Sequence, residues 1–251
     1  FEDPDGLLNQ TEYTQPCMVA FACGVTAVLA QQGVKPAYVA GLSLGEYSAL
    51  EAAGVFTAKQ AIELTAFRGK AMAEAAKGLA CGMTAVLGLD REKLSACCEQ
   101  AAEAGCVQIC NYNCPGQLVI SGAVEAVDAA CEKLKAAGAR RALRLPVGGA
   151  FHSPLMEPAR AELAEAIAEA PIHTPVCPIY QNVDAKPRTD PAVIRENLIA
   201  QLTAPVRWTQ IVRNMLADGV TEFTELGPGT VLQGLIKKVN PEATVESKST
   251  L

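Results

Sequence analysis

The sequence is poor in several residue types, and each shortage excludes a class of protein or narrows the available chemistry. Of its 251 residues only 5% are aromatic, and two are histidines. No run of 18 or more uninterrupted apolar residues indicates a membrane span, and there is no internal repeat or low-complexity segment. The net charge of -6 leaves no excess of positive charge, which argues against general nucleic-acid binding.

Cysteine is plentiful, but its spacing fits neither a disulfide framework nor a metal site. The ten cysteines are scattered, and no signal peptide is recognisable. Cys106, Cys110 and Cys114 recur every four residues, yet no histidine lies near them and the Cys-x-x-Cys spacing is absent. We therefore expect reduced thiols, buried at these three positions, no bound metal and a cytoplasmic location.

The start of the sequence is unusual for an α/β domain. The sequence does not begin with methionine, and residues 1–6 form an acidic segment with proline and glycine rather than a first strand. We interpret the chain as a fragment or as one piece of a larger polypeptide. Half of its residues are apolar, so it is still long enough to bury a full core.

The most informative stretch is residues 41–45, which read Gly-Leu-Ser-Leu-Gly. A short apolar run before it and a helical pattern after it give the setting of a nucleophile elbow, a tight turn between a strand and a helix. Glycine lets the two elements approach closely. The Ser43 hydroxyl would then project near the backbone N–H of Leu44, a donor suited to an oxyanion. The alternative is a glycine-rich turn in which Ser43 only caps the helix.

The predicted elements indicate an α/β protein in two parts. Residues 79–147 follow the order β-α-β-β-α-β, which is typical of a small ferredoxin-like subdomain. Residues 1–78 and 148–251 alternate strands and helices, which predicts a large α/β-hydrolase-like catalytic subdomain with a parallel sheet. Gly69 lies inside a predicted helix, where glycine costs about 1 kcal/mol relative to alanine. Its presence predicts the close approach of another backbone or of a ligand.

A serine hydroxyl needs a base to become a good nucleophile, and only two histidines are available. His152 lies in a glycine-rich loop just before a predicted helix, where the positive helix end favours the neutral imidazole. His173 lies in a proline-flanked connector and is expected to be exposed. We therefore prefer His152, for which the alternative is a helix flank without a chemical role. No acid between Ser43 and His152 stands out as the third member of a triad.

Five stretches, in consistent order over nearly the whole chain, together resemble the malonyl-CoA:acyl carrier protein transacylase family. The same domain serves as the acyltransferase of fatty acid and polyketide synthases. The stretches are residues 41–47 (GLSLGEY), 67–72 (FRGKAM), 111–117 (NYNCPGQ), 150–156 (AFHSPLM) and 225–229 (ELGPG).

The resemblance implies catalytic roles for four residues. Ser43 would carry the acyl group, and His152 would act first as its general base and then as the acid for the leaving thiol. Gln201 would hold the imidazole through its main-chain carbonyl, in place of the missing acid. The Leu44 amide would be an oxyanion donor.

The resemblance also implies a binding site for the substrate. Arg68 would pair with the free carboxylate of a malonyl group, and Phe151 would leave no space for an α-methyl branch. Asn111 and Asn113 would line the cleft between the subdomains. A guanidinium can grip a carboxylate through two parallel hydrogen bonds, whereas the alternative for Arg68 is an exposed position on a helix.

The sequence departs from the family at two points. Leu42 stands where the family usually has histidine. The family's first strand and its Gln-containing turn, which helps to form the oxyanion hole, are lacking. Removing one oxyanion donor costs about 3–4 kcal/mol of transition-state stabilisation. We therefore expect this chain to be weakly active or unstable alone, unless a separate N-terminal segment is supplied.

The implied activity is ping-pong transfer of malonyl from malonyl-CoA to the phosphopantetheine thiol of acyl carrier protein, as in fatty acid biosynthesis. It needs no metal or redox cofactor, and no nucleic acid or membrane is expected as a partner. A serine thioesterase or esterase, and a catalytically weakened carrier-protein-binding domain, remain as alternatives. Candidate docking patches for the acidic carrier protein are basic: Arg140, Arg141 and Arg144, or Lys237 with Lys238.

Overall fold

The computed structural model describes residues 3–249 of the chain. The helices in this range are α1 (Thr11–Gln31), α2 (Gly45–Ala52), α3 (Ala58–Ala76), α4 (Arg91–Ala101), α5 (Val124–Ala136), α6 (Glu157–Glu169), α7 (Pro191–Ala200), α8 (Trp208–Ala217) and α9 (Val231–Val239). The strands are β1 (Val39–Ala40), β2 (Cys81–Leu87), β3 (Val107–Cys114), β4 (Gln117–Ala123), β5 (Arg141–Arg144), β6 (Ile179–Tyr180), β7 (Pro187–Arg188), β8 (Glu222–Leu226) and β9 (Thr244–Lys248). The α/β fold class predicted from the sequence is confirmed.

A four-stranded antiparallel sheet lies between residues 81 and 144. Its strands follow the order β3-β4-β2-β5, and the helices α4 and α5 occur where the β-α-β-β-α-β pattern predicts them. A core of buried apolar side chains joins sheet and helices, including Leu94, Ile120, Val127 and Leu134. The chain order and the sheet order are together those of the ferredoxin-like unit.

The rest of the described chain contains the elements that carry the site. Strand β1 pairs in parallel with β6, with Ala40 opposite Tyr180, so the residues that follow both strands emerge at the same edge. Strand β7 is antiparallel to β6, and β8 pairs in parallel with β9. Around them lies a core cluster drawn from α1, α2, α3, α6 and α7.

Strand lengths differ from the sequence prediction. The residue pattern predicts a strand over residues 175–183, whereas the structure forms only β6, Ile179–Tyr180. Pro175 and Pro178 have no N–H to donate to a ladder, and residues 181–182 turn away to bind a buried carboxylate on α2. The short antiparallel β7 was not predicted, because two residues show no alternation.

Helix α1 is long and apolar enough to cross a membrane by length and composition alone, as a core helix of a soluble protein also can be. In the structure it packs along α3. At Gly69 a Cβ atom would lie 2.7 Å from the carbonyl oxygen of Thr11, so the two backbones meet at the glycine. The close approach predicted from Gly69 is confirmed, and it brings α1 beside the neighbouring Arg68.

The edge strand β3 of the four-stranded sheet is hydrogen-bonded to the segment that follows α7. The main chain of Tyr112, on β3, donates a hydrogen bond of 2.9 Å to the carbonyl of Val206. The Val206 N–H donates in turn to the carbonyl of Cys110 at 2.8 Å. The segment around Val206, which follows Gln201 in the chain, therefore extends the edge of the four-stranded sheet.

Candidate active site

Ser43 stands on a strained turn between β1 and α2. Its φ is 52°, in the left-handed region, which costs a non-glycine residue about 1–3 kcal/mol. A Cβ on Gly41 would lie 1.9 Å from the carbonyl carbon of Gly45, so Gly41 must be glycine. Gly45 has open space at the same position and is not required sterically. The turn has the geometry of a nucleophile elbow, with α2 beginning two residues after Ser43.

The hydroxyl of Ser43 lies 2.7 Å from Nε2 of His152. The other ring nitrogen, Nδ1, lies 2.9 Å from the main-chain oxygen of Gln201. Because a carbonyl oxygen only accepts hydrogen bonds, Nδ1 carries the proton and Nε2 is left as the acceptor. The Ser43 hydroxyl therefore donates to His152, which is the arrangement a general base requires.

The imidazole of His152 is buried, with 3% of its surface exposed. Burial, followed by the positive charge of Arg68, lowers the pKa of His152 from 6.5 to about 4. Its main-chain oxygen accepts a hydrogen bond of 2.9 Å from the side chain of Gln108, on β3. His152 is thus neutral at physiological pH and is held at both its ring and its backbone.

Arg68, on α3, is the largest side chain in the described core that is almost fully buried, with 1% exposure. Its Nη2 donates to the Ser43 hydroxyl at 3.0 Å and to Oε1 of Gln201 at 3.2 Å. Its Nη1 donates to Oε1 of Gln15 at 2.6 Å, and its guanidinium carbon lies 5.5 Å from the ring centre of Tyr47.

Among residues 3–249 Arg68 forms no salt bridge, and its Nε is buried without a hydrogen-bond partner. Burial lowers the pKa of Arg68 because desolvation disfavours its charge, yet a guanidinium remains protonated. A buried cation with no carboxylate against it is an incomplete ion pair. The arrangement is therefore complementary to an anionic group placed next to Ser43.

The other predicted residues lie around this centre with different degrees of contact. The amide of Leu44 donates no hydrogen bond within the described chain, and Leu44 is the N-cap residue of α2. The ring of Phe151 covers Gly149, where a Cβ would lie 2.5 Å from it. Neither Asn111 nor Asn113 is hydrogen-bonded to Ser43, His152 or Arg68 in the part of the chain described. The side-chain oxygen of Asn113 is buried without a partner.

His173 was the rejected candidate for the base, and it is exposed in its connector as expected. Its contact with the fold is a main-chain hydrogen bond of 3.1 Å to the carbonyl of Val55. The structure therefore places only one of the two histidines beside Ser43.

Two glutamines at the site were not singled out from the sequence. Gln15 is buried on α1 and receives a hydrogen bond from Arg68, and Gln108 holds the His152 backbone. Gln15 lies among other polar residues in the first turns of α1, so nothing in the sequence distinguished it. Gln108 lies in an ordinary strand, and its role depends entirely on the contact between distant segments.

A second group of missed residues lies behind the elbow. Glu46, Gln181 and Asn182 are each 0% exposed, and Gln181 and Asn182 both donate hydrogen bonds to the Glu46 carboxylate. Burial raises the pKa of Glu46 to about 7, although these hydrogen bonds oppose the shift. Two adjacent polar residues at the carboxyl end of a predicted apolar strand were the signal for Gln181 and Asn182.

Comparison with known proteins agrees with this geometry. The acyl transferase domain family matches residues 1–250. The chain is 45% identical over 239 residues to the malonyl CoA-acyl carrier protein transacylase of Escherichia coli (strain K12), covering 95% of this chain and 77% of that protein.

Solved structures agree as well. An acyl carrier protein S-malonyltransferase from Vibrio cholerae O1 biovar eltor superposes with a TM-score of 0.97 at 43% identity, over 100% of this chain and 82% of that one. A type II PKS acyl-carrier protein in complex with its malonyl-transacylase gives a TM-score of 0.95 at 40% identity, over 99% of this chain and 81% of that one. The chain therefore belongs to the malonyl-CoA:acyl carrier protein transacylase family of acyl transferase domains.

Proposed function

We propose that this chain transfers a malonyl group from coenzyme A to the phosphopantetheine thiol of an acyl carrier protein, in fatty acid biosynthesis. One observation carries the proposal. The Ser43 hydroxyl contacts a neutral imidazole on one side and a buried guanidinium without a carboxylate partner on the other. The first contact supplies a nucleophile, and the second selects an acyl group that ends in a negative charge.

In the first half-reaction Ser43 Oγ attacks the thioester carbon of malonyl-CoA while His152 Nε2 takes the hydroxyl proton. The main-chain oxygen of Gln201 accepts a hydrogen bond from Nδ1–H, which stabilises the imidazolium that forms. The C–S bond then breaks, and the CoA thiolate takes the proton from Nε2. In the second half-reaction the carrier thiol loses its proton to His152 and attacks the ester, which restores the Ser43 hydroxyl.

The malonyl carboxylate lies within reach of Arg68 once the ester has formed. Only the ester carbonyl carbon and the methylene separate the carboxylate carbon from Oγ, and Arg68 Nη2 is 3.0 Å from Oγ. A carboxylate there completes the buried ion pair through charge-assisted hydrogen bonds. An acetyl group leaves the guanidinium unpaired, so the site discriminates against it.

Negative charge develops on the thioester oxygen during attack. The Leu44 N–H is a free donor beside Ser43, and we assign it to that oxygen. Phe151, before His152 in the chain, is assigned to the wall that excludes an α-methyl branch. Asn111 and Asn113 are assigned to the cleft, on the strand β3 that is bridged to the segment around Val206.

The two parts of the chain then have distinct roles. We assign residues 1–78 and 148–251 to the catalytic subdomain and residues 79–147 to the small subdomain that covers it. The basic candidates for carrier docking are exposed on both parts: Arg140, Arg141, Arg144, Lys237 and Lys238. All ten cysteines are free thiols, which together with the family supports a cytoplasmic location.

Transfer and hydrolysis make different products from the same acyl-enzyme. With malonyl-CoA alone we expect a stable malonyl adduct on the intact protein, and with added holo carrier protein we expect malonyl-carrier as the main product. Intact-mass measurement of both proteins and assay of free malonate check this. Free malonate as the main product in the presence of carrier would identify a thioesterase. The absence of any adduct would indicate a carrier-protein-binding domain without catalytic activity.

The acid limb of the pH profile, which is the fall in the acylation rate at low pH, should report protonation of the buried His152 imidazole. Because the pKa of His152 is lowered to about 4, its base form persists as the pH falls below 6.5, and we expect the acylation rate to be retained until the pH nears 4. In Arg68→Ala the loss of the positive charge raises the pKa of His152, so the limb moves to higher pH. Rapid-quench acylation rates against pH measure both.

The exposed histidine gives a matched control for this prediction. His173→Ala should leave the profile where it is in the wild type, because His173 contacts none of the reacting groups. An acid limb near 6.5 in the wild type, or one that His173→Ala displaces, would contradict the assignment of His152.

A further inference from the structure

We propose that Asn182, held in place by Glu46, is a positioning residue that fixes the strained backbone of the nucleophile Ser43. The inference rests on the proposed function only for the identity of the acyl substrate, because the alignment of Ser43 and His152 can be measured without malonyl-CoA.

Asn182 reaches the elbow from the neighbouring strand. It follows β6, whose partner β1 leads into Gly41, so both segments leave the sheet at the same edge. The Ser43 N–H donates to Oδ1 of Asn182 at 2.6 Å, and Nδ2 of Asn182 donates to the carbonyl of Gly41 at 2.6 Å. The carboxamide therefore pairs with two main-chain groups of the elbow, as a neighbouring strand would.

These two main-chain groups need this partner because of the turn itself. Strand β1 ends at Ala40, so the Gly41 carbonyl and the Ser43 N–H lie beyond the regular ladder with β6. Within residues 3–249 neither group has a main-chain partner. On the far side of the elbow, Gly45 and Glu46 donate to the carbonyls of Leu42 and Ser43 at 3.0 and 3.1 Å and fix the helix. Asn182 supplies the corresponding restraint on the strand side.

Glu46 closes the arrangement from the first turn of α2. Its Oε2 accepts a hydrogen bond of 2.8 Å from the main-chain N–H of Asn182, and its Oε1 accepts one of 3.1 Å from Gln181. Glu46, on the helix of the elbow, thus holds the backbone of Asn182, and the side chain of Asn182 in turn holds the backbone of the elbow. The side chain of Gln181 also donates a hydrogen bond of 3.1 Å to the Ile194 carbonyl and accepts one of 3.0 Å from Asn197. These contacts connect the hydrogen bonds around Glu46 to α7.

Neither Asn182 nor Glu46 is hydrogen-bonded to the reacting oxygen. In the described chain the partners of Ser43 Oγ are His152 and Arg68. Loss of the two hydrogen bonds from the Asn182 side chain should therefore misalign Oγ and the Leu44 amide without removing a substrate contact. The expected effect is on the rate of acylation rather than on the concentration of substrate that half-saturates it.

The test compares three variants in two assays. Asn182→Leu keeps the side-chain size and removes both elbow hydrogen bonds, whereas Asn182→Asp keeps the acceptor for the Ser43 N–H and loses the donor to Gly41. Asn214→Ala is the control, since Asn214 binds the Ala185 carbonyl of the same segment at 2.8 Å without touching the elbow. The assays are single-turnover acylation by malonyl-CoA and labelling of Ser43 by a small fluorophosphonate, each beside a thermal melt.

We expect Asn182→Leu to slow both reactions about 100-fold, the loss typical of a misplacement near 1 Å. The malonyl-CoA concentration for half-saturation should change little. The rates of Asn182→Asp should fall between those of Asn182→Leu and the wild type, and the rates of Asn214→Ala should match those of the wild type. If Asn182→Leu does not fold, the comparison of Asn182→Asp with Asn214→Ala decides. Rates within twofold of the wild type in the folded Asn182 variants, or losses that only follow the melting temperature in all variants, would overturn the proposal.

The two assays keep this inference separate from the proposed function. A wild-type chain that reacts with the fluorophosphonate but not with malonyl-CoA would contradict the malonyl substrate, and the labelling rates would still judge the role of Asn182.

Discussion

Ser43→Ala is expected to abolish the malonyl adduct and to reduce transfer to the carrier protein by about 10⁵-fold or more, as for the loss of the nucleophile in other serine enzymes. The substitution removes the one hydroxyl that contacts both His152 and Arg68 in the described chain. Water cannot replace it, because an ester on the protein must form before CoA leaves. Intact mass after incubation with malonyl-CoA, with carrier malonylation as the second readout, measures the loss.

A serine away from the site controls for the substitution itself. Ser95, on α4, is hydrogen-bonded to Glu99 at 3.0 Å and lies in the small sheet's helical layer. Ser95→Ala should form the adduct as the wild type does. An adduct that persists in Ser43→Ala would show that another residue carries the acyl group.

Arg68→Ala is expected to lose malonyl transfer far more than acetyl transfer. Breaking a buried, hydrogen-bonded ion pair costs about 3–5 kcal/mol, which corresponds to a rate loss of about 10²- to 10⁴-fold for malonyl. An acetyl group has no carboxylate, so its transfer loses only the weaker contact of Arg68 with the Ser43 hydroxyl. Initial rates with malonyl-CoA and acetyl-CoA, measured on the same preparations, give the ratio.

Two further variants make this result specific. Arg68→Lys keeps the charge without the planar fork, so it should recover part of the malonyl preference. Arg160→Ala removes an arginine that pairs with Glu157 on α6, away from Ser43, and should leave the ratio unchanged. Equal losses for both acyl groups in Arg68→Ala would contradict the carboxylate contact.

Local patterns were sufficient for the parts of the protein that depend on neighbouring residues in the chain. The Gly-x-Ser-x-Gly spacing identified the elbow, and steric contact at Gly41 shows why its first glycine is needed. Gly69 identified the approach of α1 to α3. The small subdomain was predicted correctly in element order because its strands and helices are long enough to show their periodicity.

Prediction was weaker where pairing, rather than periodicity, forms the structure. Strands β1, β6 and β7 have two residues each, which is too short for an alternating pattern to appear. The role of Gln201 was available only through the resemblance, because a main-chain carbonyl leaves no signature in the residue type. Gln108 and Asn182 act on backbone atoms 44 and 139 residues away, at His152 and Ser43 respectively.

The sequence by itself determined the fold class, and it predicted Ser43 as the nucleophile and His152 as its base from short-range spacing and from the scarcity of histidine. Only the tertiary structure decided that Arg68 is buried without a carboxylate, that Gln201 fixes the tautomer of His152, and that Glu46 and Asn182 brace the elbow. The physical reason is that charge compensation and hydrogen-bond partnership are properties of groups in space. Which donors and acceptors meet is settled only when distant segments pack against one another.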